Sequence, residues 1–515
     1  MNAPGTTYAE VLWARAARDP DGEVLRVPDG ERWTAEALRR QAASVAAGLV
    51  GHVGPGDVVV TCVDAGPDAV AVTGAVSALG AVELPVAADL PADWACRLVT
   101  DAGARVVVAS ARRAADPMPQ LLAVYTGHPA HVVDGSTPLH PGTDRIDPVS
   151  LPATAPALIV STSGTTGRSK TALLPVGAAV GQARRVAAAM HYGPEDVLLG
   201  CFPWHHINAR NATVLPALMS GARVVMVPRF SATSFLDLVR RERITAFNFM
   251  GAMCMMLLAQ PTTPHDRDHA IIKAYGGPAP ARMVDNFRER FGVTLRQAYA
   301  CTELGDVATT PMDALRPGAA GRVVADHEVR IVDGEGNVLA EGTSGEILVR
   351  PRGEGLALLD YVGDPEAVAQ AWSGPWFRTR DRGRLVDGWL HVDGRTGDVI
   401  RRRGVNIDPH HVEEALVDHP SVAEVAAVGV PSELTEDEVL AVVVPRAGTR
   451  IDPAALWSHC REILPRAAVP RYLSVEASLP HTATHKLDRA ALRRRGLPAT
   501  SWDAGSTRPL PTESQ

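Results

Sequence analysis

The chain has 515 residues, of which 46% are hydrophobic and 21% charged, and it carries a formal net charge of −7. This length exceeds a single ordinary core, so we expect a globular chain with two or more domains. The negative charge gives no reason to expect nucleic acid or an anionic membrane as a partner. The six cysteines are scattered without a CxxC pair, which favours reduced thiols over a disulfide framework or a zinc site.

The first part of the chain predicts strands that alternate with amphipathic helices. The predicted strands span residues 57–63, 104–110, 157–163 and 222–228, and the predicted helices span residues 33–50 and 234–244. Thr34, Ser231 and Thr233 are candidate N-caps for these helices. The most apolar stretch, residues 69–88, is interrupted by polar residues and predicts a buried helix followed by a strand, with no membrane insertion. The alternation predicts layered α/β structure with largely parallel sheets.

The pattern of apolar and polar residues changes after about residue 325. Residues 327–351 alternate apolar and polar residues and turn at Asp-Gly pairs, which predicts antiparallel β structure. A smaller α+β unit follows, with helices predicted at 410–418 and 453–464 and strands at 422–430, 438–445 and 471–475. We therefore predict a large domain over residues 1–396, which includes a β-rich subdomain, and a small mobile domain over residues 397–497. The segment 498–515 is rich in Pro, Ser, Thr and Gly and is predicted to be disordered.

A polar loop follows the strand at 157–163. It reads SGTTGRSKT over residues 163–171, one glycine short of the GxxxxGK[ST] phosphate loop, because Ser169 stands at the second glycine position. Backbone N–H groups and hydroxyls in such a loop hold phosphate oxygens, and Lys170 adds a positive charge. A plain surface loop of common turn residues remains the alternative at this point.

The unbroken SGTTG resembles the signature loop of adenylate-forming enzymes, the superfamily of acyl-CoA synthetases, nonribosomal-peptide adenylation domains and beetle luciferases. Their usual pattern is SGTTGxPKG, from which Ser169 and Thr171 depart. The resemblance implies that the loop holds the β- and γ-phosphates of ATP. The phosphate-binding residues would be Ser163, Gly164, Thr165, Thr166, Gly167 and Lys170.

Further motifs of this superfamily follow in order. QAYACTELG (297–305) resembles the YGxTE element, which implies that Tyr299 stacks on adenine, Thr302 contacts the α-phosphate region and Glu303 helps to hold Mg²⁺. YGGPAP (275–280) resembles the segment beside adenine, with Gly277 and Pro278 in the nucleotide site and Gly276 and Gly277 open to a flat ligand.

The carboxyl-terminal motifs resemble those of the family with several departures. WFRTRDRG (376–383) resembles WFxTGD, which implies that Asp381 binds the ribose hydroxyls, although Arg380 replaces glycine. GRTGDVIRRRG (394–404) resembles the hinge motif, so Arg395 would also contact the ribose side, and Gly397 stands where the family has Asp or Lys. LPHTATHKLDR (479–489) makes Lys486 the catalytic lysine. His411 and His485 replace the usual glutamate and glycine of these segments.

CFPWHHINARN (201–211) resembles the element that gates the acyl site, which implies that His206 lies beside the substrate carboxylate. The acyl pocket is then expected between residues 206–210, 250–256 and 301–306, with Asn208, Arg210 and Asp306 as polar candidates. A metal site at His205 and His206 is disfavoured, because adjacent residues of a strand point to opposite faces. The 201–260 stretch resembles the CoA ligases of the carnitine/crotonobetaine type more than the peptide-synthetase domains, which suggests a small or polar acid.

The resemblance implies an AMP-forming acid–CoA ligase that uses ATP, Mg²⁺ and CoA and is expected in the cytoplasm. The acid would attack the α-phosphate to give acyl-AMP and pyrophosphate, and the CoA thiol would then displace AMP. The altered hinge leaves other acceptors open: an amine, a carrier-protein thiol, or an oxyanion such as nitrite in natural-product biosynthesis. A P-loop phosphohydrolase and a non-catalytic nucleotide-binding homologue are the alternatives from other classes.

Overall fold

The computed structural model describes residues 6–87, 90, 92–126, 131–133, 146–161, 170–395, 400–402, 405–407, 409–431, 437–482 and 487–505. Most predicted elements are present within a residue or two of their expected ends. Thr34 caps its helix and accepts a hydrogen bond from the Ala37 N–H at 3.1 Å, as predicted. The caps predicted for the 234–244 helix were wrong, because the helix begins at Phe235 after Ser234, and Ser231 and Thr233 contact one another instead.

The large domain contains two sheets with helices between and around them. Its elements up to residue 258 are α1 (Tyr8–Arg18), β1 (Glu23–Arg26), β2 (Arg32–Thr34), α2 (Ala35–Leu49), β3 (Val58–Cys62), α3 (Pro67–Ala78), β4 (Val82–Pro85), α4 (Ala92–Asp101), β5 (Val106–Ser110), α5 (Ala111–Ala114), α6 (Pro117–Thr126), β6 (His131–Val133), β7 (Pro156–Ser161), β8 (Thr171–Pro175), α7 (Val176–Ala189), β9 (Val197–Gly200), a π-helix (Asn208–Val214), α8 (Leu215–Ser220), β10 (Arg223–Met226), α9 (Phe235–Arg241), β11 (Ala246–Phe249) and α10 (Gly251–Leu258).

The remaining elements complete these sheets and build the small domain. They are β12 (Lys273–Gly276), α11 (Ala281–Phe291), β13 (Leu295–Cys301), β14 (Gly305–Thr309), β15 (Gly321–Val323), β16 (His327–Val332), β17 (Gly345–Pro351), β18 (Asp360–Tyr361), α12 (Pro365–Ala371), β19 (Trp372–Ser373), β20 (Trp376–Val386), β21 (Trp389–Arg395), β22 (Ile400–Arg402), β23 (Val405–Ile407), α13 (Pro409–Val417), β24 (Val422–Pro431), β25 (Asp437–Pro445), α14 (Pro453–Ile463), β26 (Tyr472–Val475), α15 (Arg489–Arg495) and β27 (Trp502–Asp503).

The longest sheet has two parts with different strand directions. From β1 through β10, β9, β11 and β12 to β13 the strands are parallel, and from β13 onward the pairings through β14, β15, β21, β20, β17 and β16 are antiparallel. The second sheet has the order β18-β8-β7-β4-β3-β5-β6. The antiparallel pairing of β16 with β17 agrees with the β structure predicted for residues 327–351.

The core of the large domain lies between its two sheets. Helix α3 is buried along nearly its whole length. It packs against α1 and α2 on one side, with Val70 and Ala71 in the core cluster that includes strands of the long sheet, and Val72 and Ala75 lie in the cluster that includes β3 and β5. An apolar helix enclosed in this way needs no polar face, which explains why residues 69–88 are so hydrophobic without forming a membrane span.

The small domain has its own core beneath a four-stranded sheet of order β24-β25-β26-β27. Strand β27 lies in the segment for which the sequence predicted disorder. It pairs with β26, and the Trp502 ring lies 5.9 Å from the ring of Trp457. Residues 506–515 lie outside the described residues. An ion pair between Arg282 and Asp418 connects the small domain to α11.

Candidate functional site

Lys170, Tyr361 and Glu303 form one cluster where the two sheets meet. Strand β18 pairs with β8, which places Tyr361 beside the strand that Lys170 precedes. The Lys170 Nζ lies 4.8 Å from the centre of the Tyr361 ring, and the Tyr361 hydroxyl donates a hydrogen bond of 2.7 Å to Glu303 Oε1. The Glu303 carbonyl accepts from the Leu358 N–H at 2.7 Å. The predicted phosphate-binding lysine and the predicted metal-binding carboxylate are therefore brought to one place, by a tyrosine that sequence reasoning missed.

The charges around Lys170 oppose one another. Partial burial lowers the pKa of Lys170, and the positive charge of Arg380 lowers it further, while Asp364 and Glu303 raise it. Burial, followed by the negative charge of Glu303, raises the pKa of Tyr361. The tyrosine therefore stays protonated and donates its proton to the carboxylate.

Tyr299 and Asp381 form the second cluster. Tyr299 lies in β13 and Asp381 in β20; both are buried, and the Tyr299 hydroxyl donates to Asp381 Oδ2 at 2.6 Å. Burial raises the pKa of Tyr299 well above its usual value, and the Asp381 carboxylate raises it further. The Asp381 N–H donates to Thr379 Oγ1 at 3.1 Å, which fixes the backbone beside the carboxylate. The two residues expected at the nucleoside are thus joined directly, although their sequence positions differ by 82.

Thr302 lies in the turn between β13 and β14, next to Glu303. This turn holds a hydrogen bond from the Leu304 N–H to the Cys301 carbonyl at 3.3 Å. Both Thr302 and Glu303 are half-buried. The motif residues therefore sit at the end of β13, where the sheet changes from parallel to antiparallel pairing. In open α/β sheets, ligands bind outside the carboxyl ends of the parallel strands, and β13 ends at this edge.

Backbone packing requires glycine in the segment 276–277, which the sequence analysis did not predict. Gly276 has φ +155°, and a Cβ built on it would lie 1.9 Å from the Phe249 carbonyl oxygen. Gly277 has φ +157° and precedes Pro278 through a cis peptide bond. Close backbone packing against the end of β11 thus requires glycine at 276 whether or not a ligand is bound.

His206 lies before the π-helix, in a turn rather than a strand, and its N–H donates to the Pro203 carbonyl at 3.0 Å. The geometric argument made for His205 and His206 was therefore wrong. Their rings do not point to opposite faces but lie 5.3 Å apart. In the part of the chain that the structure describes, no group of three His, Cys, Asp or Glu side chains could hold a metal ion.

Arg210 does not line the pocket as a free polar candidate. It pairs with Glu83 through two hydrogen bonds, one of 2.9 Å between Nη1 and Oε1, and the two side chains are only 5% and 3% exposed. The Thr61 hydroxyl also donates to Glu83 Oε1, at 2.9 Å. The expectation for Arg210 is thus corrected: its charge is neutralised inside the protein.

Asp306, by contrast, lies in a buried polar cluster below the motif residues. The Tyr275 hydroxyl donates to Asp306 Oδ1 at 2.7 Å, while Oδ2 is buried without a hydrogen-bond partner among the described residues. Asn248, at the end of β11, donates to Asn208 Oδ1 at 3.0 Å, and its own Oδ1 is likewise buried without a partner there. Burial raises the pKa of Asp306. Of these side chains, sequence reasoning named Asn208 and Asp306 and missed Tyr275 and Asn248.

Several predicted residues lie outside the described residues. These are Ser163, Gly164, Thr165, Thr166, Gly167 and Lys486, together with Gly397 and His485. For Arg395 the structure describes the main chain, which pairs with Asp381 across β20 and β21. The roles assigned to these residues, and those of Thr302, Tyr299, Gly277 and Pro278 toward the nucleotide, stay predictions.

A single carboxylate at Glu303 fits the donor set expected for Mg²⁺ in a nucleotide site. Mg²⁺ keeps several waters and takes one or two carboxylates plus substrate phosphates, rather than a cage of protein ligands. No helix among the described residues combines the length and the apolarity that crossing a membrane requires.

The sequence model of the AMP-binding enzyme family matches residues 12–358, and that of the AMP-binding enzyme C-terminal domain matches residues 411–486. The chain is 33% identical over 364 residues to a sulfoacetate–CoA ligase of Cupriavidus necator, covering 69% of this chain and 71% of the relative. It is 35% identical over 355 residues to an indoleacetate–CoA ligase of Aromatoleum aromaticum, covering 68% of each. A crotonobetaine/carnitine–CoA ligase of Salmonella typhi is 28% identical over 65% of this chain and 66% of its own.

The fold is similar to those of solved structures. ATP-bound MatB from Rhodopseudomonas palustris superposes with a TM-score of 0.86 at 23% identity, over 95% of this chain and 98% of its own. The amide bond synthetase McbA from Marinactinospora thermotolerans gives 0.81 at 26% identity, over 96% of this chain and 100% of its own. The predicted fold class, family and ligase activity are confirmed: the chain belongs to the AMP-binding enzyme family of adenylate-forming, AMP-producing ligases.

Proposed function

We propose that this ligase activates a small carboxylic acid bearing a hydrogen-bond donor and transfers the acyl group to the thiol of CoA. In the first step a carboxylate oxygen attacks the α-phosphorus of ATP, and the bond to pyrophosphate breaks. In the second step the thiol sulfur attacks the acyl carbonyl, loses its proton, and AMP leaves. The convergence of Lys170, Glu303, Tyr299 and Asp381 at the end of β13 is the observation that carries the proposal.

The first step brings an anion against an anion, so neutralisation of charge dominates its barrier. Lys170 supplies one positive charge from the described residues, and Lys486 is proposed to supply another. A Mg²⁺ ion bound by Glu303 and the phosphates would supply further positive charge. Tyr361 holds Glu303 in place through its 2.7 Å hydrogen bond. No protein nucleophile is required, because positioning and electrostatics suffice for phosphoryl chemistry.

Asp306 and Asn248 support the substrate class. Asn248 Oδ1 and Asp306 Oδ2 are buried without a hydrogen bond of ordinary geometry to the described residues, and the Gln182 side chain lies close enough to lower the pKa of Asp306. A buried acceptor that lacks such a bond is satisfied by a donor from a ligand or an ordered water. An amino or hydroxyl group on the acid would supply such a donor. A plain fatty acid offers none, so if it displaced the ordered water it would leave these oxygens unpaired at a cost of about 1–3 kcal/mol for each group.

A pyrophosphate-release screen tests the proposal. We expect turnover with small aromatic or aliphatic acids that carry an amino or hydroxyl group, and weaker turnover with the same acids lacking it. Product analysis should show acyl-AMP and pyrophosphate without CoA, and AMP with a thioester when CoA is added. Asp306→Asn should raise the KM of the donor-bearing acid about tenfold and leave that of its unsubstituted analogue within about twofold. Equal effects on both acids would contradict the role of Asp306.

The lysine has its own test. Lys486→Ala should abolish acid-dependent pyrophosphate release and leave thioester formation from a supplied acyl-adenylate largely intact. Arg489→Ala is a control three residues away, since Arg489 pairs with Glu413 inside the small domain. Equal loss of both half-reactions in Lys486→Ala would remove the role proposed for the lysine.

A second candidate differs only in the acceptor. The similarity to an amide bond synthetase at 26% identity favours transfer to an amine. Incubation of the enzyme with ATP, the acid and a panel of amines, without CoA, distinguishes the two. Amide in place of thioester as the efficient product would identify the amine as acceptor. An acid that releases pyrophosphate but gives neither thioester nor amide would direct the search to a carrier-protein thiol or to an oxyanion.

A further inference from the structure

Arg380 stands out in the backbone of β20. It is one of five non-glycine residues with positive φ among the described residues, at +60°. This left-handed conformation disfavours any side chain, and glycine adopts it freely. The family motif WFxTGD has glycine at this position. This chain therefore has an arginine in a backbone conformation that glycine would adopt without strain.

The strain belongs to a β-bulge. In the pairing of β17 with β20, Leu348 stands opposite Arg378 and Glu346 stands opposite Arg382, so residues 379–381 face the single residue Ile347. The Thr379 hydroxyl donates to the Ile347 carbonyl at 2.8 Å and secures the bulge. Bulges of this kind occur beside active sites and redirect side chains. Here the bulge buries Asp381 toward Tyr299 and leaves Arg380 exposed beside it.

The side chain of Arg380 reaches α12, the helix that follows Tyr361 and Asp364, and the Asp364 N–H donates to the Tyr361 carbonyl at 3.0 Å. Arg380 Nη2 donates to Gln370 Oε1 of α12 at 3.1 Å. Its charge acts on Lys170 and on Tyr361, the two residues that stand together at the phosphate end of the cluster. The two positive charges repel each other, and Asp364 and Glu303 offset part of that repulsion at Lys170. A bound polyphosphate would offset more of it.

We propose that Arg380 is a second cationic ligand for the polyphosphate of ATP, acting with Lys170 and binding the part of the nucleotide that leaves as pyrophosphate. This inference rests on the proposed function, since it concerns the same nucleotide site. It assigns to the bulge of β20 two tasks in adjacent residues: Asp381 faces the nucleoside end and Arg380 faces the phosphate end. Guanidinium suits this task because it is always charged and offers several donors to phosphate oxygens.

The test compares two ligands that differ in their phosphates. The dissociation constants of AMP and of the Mg²⁺ complex of α,β-methylene-ATP are measured by calorimetry on the full chain without acid. In Arg380→Gly we expect the ATP analogue to bind about five- to tenfold more weakly and AMP to change by less than about twofold. Arg380→Lys keeps a charge and should lie between wild type and Arg380→Gly. It also provides a second test, because it does not alter the bulge by adding a glycine.

Arg243→Gly is the matched control. Arg243 is also an exposed arginine with positive φ, at +53°, and lies after α9 away from these motifs. It should leave both dissociation constants unchanged, and both glycine variants should melt no lower than wild type, since each relieves left-handed strain. Equal weakening of AMP and the ATP analogue in Arg380→Gly would show that Arg380 only positions Asp381, and no weakening would refute any role. If wild type itself does not bind the ATP analogue, the proposed function fails as well.

Discussion

The buried ion pair between Arg210 and Glu83 allows a direct test of whether Arg210 stabilises the fold or binds the substrate. The sequence placed Arg210 among the residues that face the substrate, whereas the structure pairs it with a carboxylate 127 residues earlier. We consider Glu83→Gln, Arg210→Met and the double variant Glu83→Met with Arg210→Met. In Glu83→Gln the amide keeps the shape of the carboxylate and removes its charge, which leaves the guanidinium buried and uncompensated.

The magnitude follows from burial. With side chains 5% and 3% exposed, loss of one partner should cost about 3–5 kcal/mol in the free energy of unfolding. The double variant removes both charges and fills similar volume, so it should recover most of that loss and fall within about 1–2 kcal/mol of wild type. The Thr61 hydroxyl, which donates to Glu83, then lacks its acceptor, and this accounts for part of the remaining cost.

Urea unfolding monitored by tryptophan fluorescence provides the assay. Trp204 is fully buried and its ring centre lies 5.3 Å from the Arg210 guanidinium carbon, so it reports on this region. The KM of the acid is measured in parallel and should change little in the double variant. A stable Arg210→Met protein with a strongly raised KM would refute the reasoning and return Arg210 to the substrate pocket.

Three further predictions concern pH, the site and the small domain. Burial lowers the pKa of His327 to about 4, so this histidine is neutral in the folded state and takes up a proton on unfolding below pH 6.5. Between pH 7 and pH 5 the wild type should therefore lose about 2 kcal/mol more free energy of unfolding than His327→Phe. An equal loss in the two proteins would contradict this. Tyr361→Phe removes the hydrogen bond to Glu303 and should lower kcat/KM for ATP about three- to tenfold without lowering the melting temperature by more than a few degrees; unchanged kinetics would mean that Glu303 needs no such support. Trp502→Ala should destabilise the small domain by about 1–3 kcal/mol in a protease-susceptibility assay, and wild-type resistance would show that β27 does not stabilise that sheet.

Local sequence information was sufficient for most of the elements. Apolar runs at 57–63 and 104–110 became β3 and β5, and the Thr34 cap was found because its hydrogen bond spans only three residues. The caps predicted at Ser231 and Thr233 were wrong because Ser231, Thr233 and Ser234 are three polar candidates within four residues. The helix begins after the last of them, at Phe235, which packs in the core. The turn at His205 and His206 was missed because a π-helix leaves no simple period in the sequence.

Motif matching identified Lys170, Tyr299, Glu303 and Asp381, because each lies in a short sequence motif of the adenylate-forming family. Their contacts were not readable in the same way. The hydrogen bonds from Tyr361 to Glu303 and from Tyr299 to Asp381 join residues 58 and 82 positions apart.

The sequence by itself determined the class of chemistry, the two-domain organisation and the order of the nucleotide-site residues, because hydrophobic period, turn composition and motif spacing are properties of neighbouring residues. Only the tertiary structure decided which buried charges are neutralised and which buried oxygens have no ordinary hydrogen bond among the described residues. In the sequence, Arg210 and Asp306 are equivalent polar candidates. In the structure, Arg210 of the π-helix pairs with Glu83 of β4, whereas Asp306 has a buried oxygen without an ordinary hydrogen bond among the described residues. Burial makes this difference decisive, because a charge or acceptor removed from water must find its partner within the fold or in the substrate.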